Sequence, residues 1–249
     1  MMPPKKSICS TVIVALLLIP SISYSQMFSV EEPERRARPA TNALLFGLDF
    51  IDISFRPDSD EFSVVYDVSA PIYRFRLDLP GIEAYAGFRT NLGDNGADAD
   101  TLNYLNLGAN ISGAMPVTGS SRMGIVLPIW LTTDFTQVRS TDSDQPEAEQ
   151  FRQSSASVGI GAGGYIMISN RIRIRAEMVP QIGFTVSALG SDSGQLGSLK
   201  GRLRIHMDQI VGRFGLVAGY NYSWHRYTGG EERLRYDISS HNVTVGVSF

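Results

Sequence analysis

The segment RFGLVAGYNYSWHRY, residues 213–227, places Phe214, Leu216, Ala218, Tyr220, Tyr222 and Trp224 at every second position, with Gly215, Gly219, Asn221, Ser223 and His225 between them. A period of two belongs to a β-strand with one apolar and one polar face, not to a helix. It recurs in MGIVLPIWLTTDFTQV and RIRIRAEMVPQIGF, and in LKGRLRIHMD, where Leu203, Ile205 and Met207 oppose Arg202, Arg204, His206 and Asp208. Beyond residue 25 no apolar stretch reaches the roughly 20 residues of a membrane helix. The chain reads as all-β.

Segments of this kind fall at 44–56, 62–79, 82–92, 103–116, 122–138, 151–168, 171–189, 199–210, 213–227 and 235–249. The connectors alternate between tight (Pro80-Gly81, VTGSS, Asn170, Val211-Gly212) and longer, mostly acidic ones (RPDSD, LGDNGADADT, STDSDQPEAEQ, GSDSGQLGS, TGGEERLR). Short turns at one end and long loops at the other are the asymmetry of an antiparallel up-and-down transmembrane β-barrel. Closure into a barrel is the non-helical way to pair every backbone polar group within a bilayer. About ten strands are expected, with eight or twelve as alternatives.

Two runs change phase. Phe46, Leu48 and Phe50 share one parity and Ile51, Ile53 and Phe55 the other; Phe62, Val64, Tyr66 and Val68 are out of step with Tyr73, Phe75, Leu77 and Leu79. A β-bulge resets phase in this way, and Pro71 marks its expected place in the second run. Separate short strands would instead raise the count to twelve.

The first 25 residues combine Lys5 and Lys6, the apolar run TVIVALLLI and a small-residue tail at Ser23 and Ser25. That pattern predicts a cleaved signal peptide over residues 1–25. Residues 26–43 then form a charged, proline-containing periplasmic lead-in to a barrel over 44–249. Cys9, the sole cysteine, falls within the leader, so the mature chain has no thiol for a disulfide or a metal. Loss of Lys5 and Lys6 leaves 20 basic against 25 acidic residues, a balance that argues against a nucleic-acid partner.

The final segment HNVTVGVSF sets Val243, Val245, Val247 and Phe249 on one face. A terminal aromatic preceded by apolar residues at every second position resembles the β-signal of bacterial outer-membrane proteins, and the chain is similar to the broad class of small outer-membrane β-barrels of Gram-negative bacteria. The resemblance implies recognition by the outer-membrane assembly machinery and by periplasmic chaperones. In motif it covers only the last nine residues.

An arginine or lysine facing lipid at mid-bilayer costs about 2 to 4 kcal/mol, so the polar face turns inward. The expected lumen cluster is Arg74, Arg76, Arg89, Asp134, Arg173, Arg175, Glu177, Arg202, Arg204, His206 and Asp208. Tyr220, Tyr222 and Trp224 are expected at the outer membrane–water interface, where amphipathic rings are favoured. The lumen of so small a barrel is narrow. With Glu177, Asp134 and Asp208 as counterions, the cluster reads as a mutually neutralising plug rather than an arginine-lined passage for anions.

Catalytic patterns are weak. Outer-membrane phospholipases and lipid A deacylases resemble one another in a His-x-Ser pair, but the histidines here read His206-Met-Asp, His225-Arg-Tyr and His241-Asn-Val. The Asp-x-His dyad of omptin-type barrel proteases is missing as well, since Arg204, Ser223 and Ser239 stand two before the histidines. The oxygen donors Asp94, Asn95, Asp98 and Asp100 lack the spacing of an EF-hand loop. The expectation is a monomeric, non-enzymatic barrel in contact with outer-membrane lipid, with no catalytic, cofactor or metal site. A narrow pore and a rim-site hydrolase using His225 are the alternatives.

Overall fold

The computed structural model describes residues 42–57, 66–92, 102–140, 151–187, 193–228 and 234–249. The expected signal peptide, the lead-in up to residue 41, and the acidic stretches at 93–100 and 141–144 lie outside the described residues. The strands are β1 Ala43–Pro57, β2 Tyr66–Leu79, β3 Ile82–Leu92, β4 Leu102–Gly119, β5 Met123–Ser140, β6 Phe151–Ile160, β7 Ala162–Met167, β8 Ile172–Ser187, β9 Ser193–Val211, β10 Phe214–Thr228 and β11 Leu234–Ser248. Between β6 and β7 stands Gly161, whose N–H bonds to the Pro128 carbonyl at 3.0 Å. Both segments pair with β5 on one side and β8 on the other, so together they make one staff of a ten-strand barrel.

Every pairing is antiparallel, and the sheet closes where β1 meets β11, from Ala43↔Ser248 to Pro57↔Leu234. Asn42 and Phe249 exchange backbone hydrogen bonds just below that seam, at 3.0 and 3.4 Å. Closure leaves no strand edge open, which a bilayer requires. Tight turns gather at one end. Pro80-Gly81 and Gly212-Arg213 are two-residue turns; Gly81 stands at φ 75°, the left-handed conformation that a type II turn needs after its proline.

Among the described residues the expected bulges in the first two strands are absent; Phe62 and Val64 lie outside them. The β1–β11 register runs unbroken over fifteen residue pairs, and the β1–β2 register passes Phe50↔Pro71 without a shift. Register shifts occur instead between Arg89 and Leu92, Pro116 and Thr118, and Phe214 and Leu216. Ile51, Ile53 and Ile72 stay on the inner face, where they pack with Tyr104, Val138, Tyr227 and Ile238 into an apolar cluster. The parity change in the sequence therefore marks a change in what the inner face is made of. The backbone itself does not slip.

Burial is inverted relative to a water-soluble protein. Arg74, Glu177, Arg204 and Asp208 are buried, whereas Phe46, Phe75, Leu107, Ile125, Ile182 and Val245 stand exposed on the outside, Ile182 at 74%. Apolar side chains of this kind ring the whole wall, far beyond the patch sizes water tolerates. Hydrocarbon is the solvent that favours such a belt, and the protein is an outer-membrane β-barrel. In barrels of this kind the short turns lie in the periplasm, so the end that carries Pro80-Gly81 is taken as the periplasmic one. Phe46, Tyr73, Phe75 and Phe88 form a continuous aromatic group on the belt, with centroids 4.9 to 6.3 Å apart.

Candidate functional site

The inner face of β9 gives the lumen its order. From the periplasmic end outward it presents Asp208, His206, Arg204, Arg202, Lys200, Ser198 and Leu196, every second residue, as the strand period dictates. Charges thus occupy the lower and middle levels and an apolar residue the upper one. The other strands vary on this order: Ala43, Leu45 and Val217 of β1 and β10 form a second, smaller apolar cluster at the periplasmic end, and β4, β6 and β11 bring uncharged polar residues such as Asn106, Ser157 and Asn242 to the inner face.

At the periplasmic mouth Arg173 donates to Asp208 through Nε at 2.6 Å and Nη2 at 3.1 Å. His206 lies beside Arg173 across the β8–β9 ladder, and its Nδ1 is buried without a hydrogen-bond partner. One level up, Arg204 Nε donates to Asp78 at 3.0 Å and Nη1 to Asn221 at 2.9 Å. Arg175 Nε donates to Glu177 at 2.8 Å, its side chain still half exposed toward the mouth.

The middle level spans the barrel. Arg202 Nη1 reaches Glu83 at 2.7 Å and its Nε reaches Glu177 at 3.0 Å. Arg76 also pairs with Glu83. In the closed order of strands, β3 and β9 are five steps apart by either route, so the Glu83–Arg202 bridge lies along a diameter. The guanidinium of Arg202 sits 4.7 Å over the Trp130 ring, a cation–π contact strengthened by desolvation.

Above it Asp134 accepts from Lys200 Nζ at 2.7 Å and from the Tyr85 hydroxyl. The Tyr85 ring lies under both Arg74 and Arg76, 5.3 and 5.0 Å from their guanidinium carbons. Asp49 accepts from Arg74 and from the Ser240 hydroxyl. Asn106 Nδ2 extends the network to Thr136 at 3.0 Å. Each of these buried charges meets an opposite charge, the first condition under which burial is tolerated. Beyond these levels, toward the outside, comes the apolar cluster of Ile51, Ile53, Ile72, Tyr104, Val138, Tyr227 and Ile238.

Between the ion pairs and the apolar cluster is a cavity of about 90 Å³, room for a few waters. Its lining includes Asp49, Arg74, Arg76, Tyr85, Trp130, Asp134, Lys200 and His225. His225 faces this cavity beneath Tyr227, away from the rim. Its ladder partners are Ser198 and Ile238.

Of the residues named from the sequence, Arg74, Arg76, Asp134, Arg173, Arg175, Glu177, Arg202, Arg204 and Asp208 join these ion pairs. Arg89 is half-buried near the outer end and donates to the Pro71 carbonyl. Asp49, Asp78, Glu83, Tyr85, Trp130 and Lys200 were not foreseen. Asp49, Asp78, Glu83 and Lys200 share the inward parity of their strands, so the alternation that located Arg74 and Arg202 also contained them.

On the outer wall Tyr220, Tyr222 and Trp224 share one face. The Tyr220 hydroxyl lies 2.7 Å from His241 Nδ1, and Trp224 stacks under Arg226 at 5.0 Å. Val243, Val245, Val247 and Phe249 are exposed on the lipid face.

No family model and no curated protein matches this chain. Among solved structures it is similar to the outer membrane protease OmpT from Escherichia coli, at 9% identity over 84% of this chain and 95% of that one, with a TM-score of 0.48. Similarity extends to Ail, the attachment invasion locus protein of Yersinia pestis, at 9% identity over 85% and 99% of the two chains, with a TM-score of 0.26. The Ralstonia pickettii toluene transporter TbuX shows 12% identity over 84% and 73%, also with a TM-score of 0.26. Their names describe a protease, an attachment protein and a transporter, so activity has to be argued from the lumen of this chain.

Proposed function

We propose that this protein is a monomeric, non-enzymatic and non-conducting outer-membrane barrel. Its lumen is filled by its own side chains, and its role is in envelope structure or in surface interaction through its outer loops. The observation that carries the reading is the diametral bridge from Glu83 to Arg202, continued to Glu177. A bridge along a diameter bars solutes at mid-height, and the apolar cluster above it removes the wetted path an ion would need. His225 supports the non-enzymatic reading, because it turns into the lumen beneath Tyr227.

Planar-bilayer recording from the purified protein tests this directly. Baseline current without discrete openings is expected across a wide voltage range. Stable conductance steps in the unmodified protein would overturn the closed lumen.

A further inference from the structure

The cavity inside the lumen has a charge surplus. Its cations are Arg74, Arg76, Lys200 and Arg202, and its carboxylates are Asp49, Glu83 and Asp134. All three acids are already engaged: Asp49 by Arg74 and Ser240, Glu83 by Arg76 and Arg202, Asp134 by Lys200 and Tyr85. Adding the ion pairs nearer the periplasm leaves the balance unchanged, because Arg173, Arg175 and Arg204 come with Asp78, Glu177 and Asp208. Among the described residues one positive charge remains over.

The hydrogen-bond inventory points the same way. Arg74 Nε, Arg76 Nε and Trp130 Nε1 are buried N–H donors without a hydrogen-bond partner. All three residues line the cavity, and each is more than nine-tenths buried. Buried donors are rarely left unpaired, and the exceptions call for an ion or a water. Water can accept from an N–H but cannot balance a charge. A dianion would reverse the surplus, and a bulky organic acid exceeds a cavity of about 90 Å³.

We propose that the lumen cavity binds one small monovalent inorganic anion, held by the N–H groups of Arg74, Arg76 and Trp130. The site rests on the closed-lumen reading and goes beyond it, because an ion held between the ion pairs and the apolar cluster becomes part of the structure.

Bromide is the probe. Crystals of the full barrel grown in bromide are expected to show one anomalous peak in the lumen, within hydrogen-bonding distance of Arg76 and Trp130. Purified protein is expected to unfold at a higher temperature in bromide or chloride than in gluconate at equal ionic strength. Trp130→Phe keeps a ring against Arg202 and removes only the donor; Arg76→Gln removes the charge. Each is expected to weaken halide binding about tenfold or more, the worth of a hydrogen bond to a charged group. Solvent-only density in the cavity overturns the proposal, as does a thermal midpoint indifferent to the anion or an unchanged halide affinity in both variants. Conductance tests the closed lumen and bromide occupancy tests the site, so the two readings fail separately.

Discussion

Arg202 Nη1 donates to Glu83 Oε2 at 2.7 Å across the width of the barrel, joining residues 119 positions apart. Neither partner is left with a single contact. Glu83 also holds Arg76, and Arg202 also holds Glu177. The bridge is therefore part of a chain of alternating charges whose links share their load.

Arg202→Met should accordingly cost somewhat less than the roughly 3–5 kcal/mol of breaking an isolated buried pair, because Arg76 and Arg175 still face the two abandoned carboxylates. Urea titration of the refolded barrel in lipid measures it. Restoring most of the loss with Glu83→Gln in the same chain would show that the penalty came from the unpaired acid, whereas a strictly additive double variant would refute the coupling.

Ile72 is completely buried at the heart of the apolar cluster. Ile72→Ala should destabilise the barrel by about 2–5 kcal/mol, read from the same titration. A loss under about 0.5 kcal/mol, typical of a surface site, would mean that the cluster is not a packed layer.

The lipid-facing belt predicts a contrast by depth. Ile111 stands exposed on the middle of β4, and Ile111→Arg should cost about 2–4 kcal/mol. Arg226, paired with Asp237 at 3.1 Å near the outer end, is an exposed pair worth about 0–1 kcal/mol, so Arg226→Ala should fall in that range. Equal costs at the two positions would contradict the membrane placement.

The Tyr85 ring lies flat on Gly108, so that a Cβ at 108 would collide with its phenol. Gly108→Val should push the ring off Asp134 and cost about 1–3 kcal/mol through overpacking. Tyr85→Phe, which deletes only the hydroxyl, should cost about 1–3 kcal/mol, the penalty for an under-satisfied buried carboxylate. If the valine variant unfolds at the same urea concentration as the parent, the ring is not wedged there.

The alternation in β5, β8, β9 and β10 is enough to place the strands, because over most of their length polar residues face inward and apolar ones outward, with Val138, Val179, Leu196 and Tyr227 as inward-facing exceptions. It misled in β1 and β2, where the inner face passes from Asp49 to Ile51 and from Arg74 to Ile72. A pattern of hydrophobicity cannot separate an apolar residue turned to lipid from one turned to a dry lumen. Tyr85 and Trp130 were illegible for another reason. Tyr85 takes its place because its ladder partner on β4 is Gly108, and Trp130 because Arg202 reaches it across the lumen after the sheet has closed.

The seam between β1 and β11 brings Ala43 beside Ser248. Most ladders in this barrel join chain neighbours, but this one must close a loop of about two hundred residues. The entropy of so large a loop rises only slowly with its length, yet such non-local pairing is slow to find. The wall cannot become continuous until β11 arrives, and until then both edges and the whole apolar belt lie open to association. For this chain, the interval before Ala43 meets Ser248 is the period of greatest danger, and a holding chaperone would have most to protect during it.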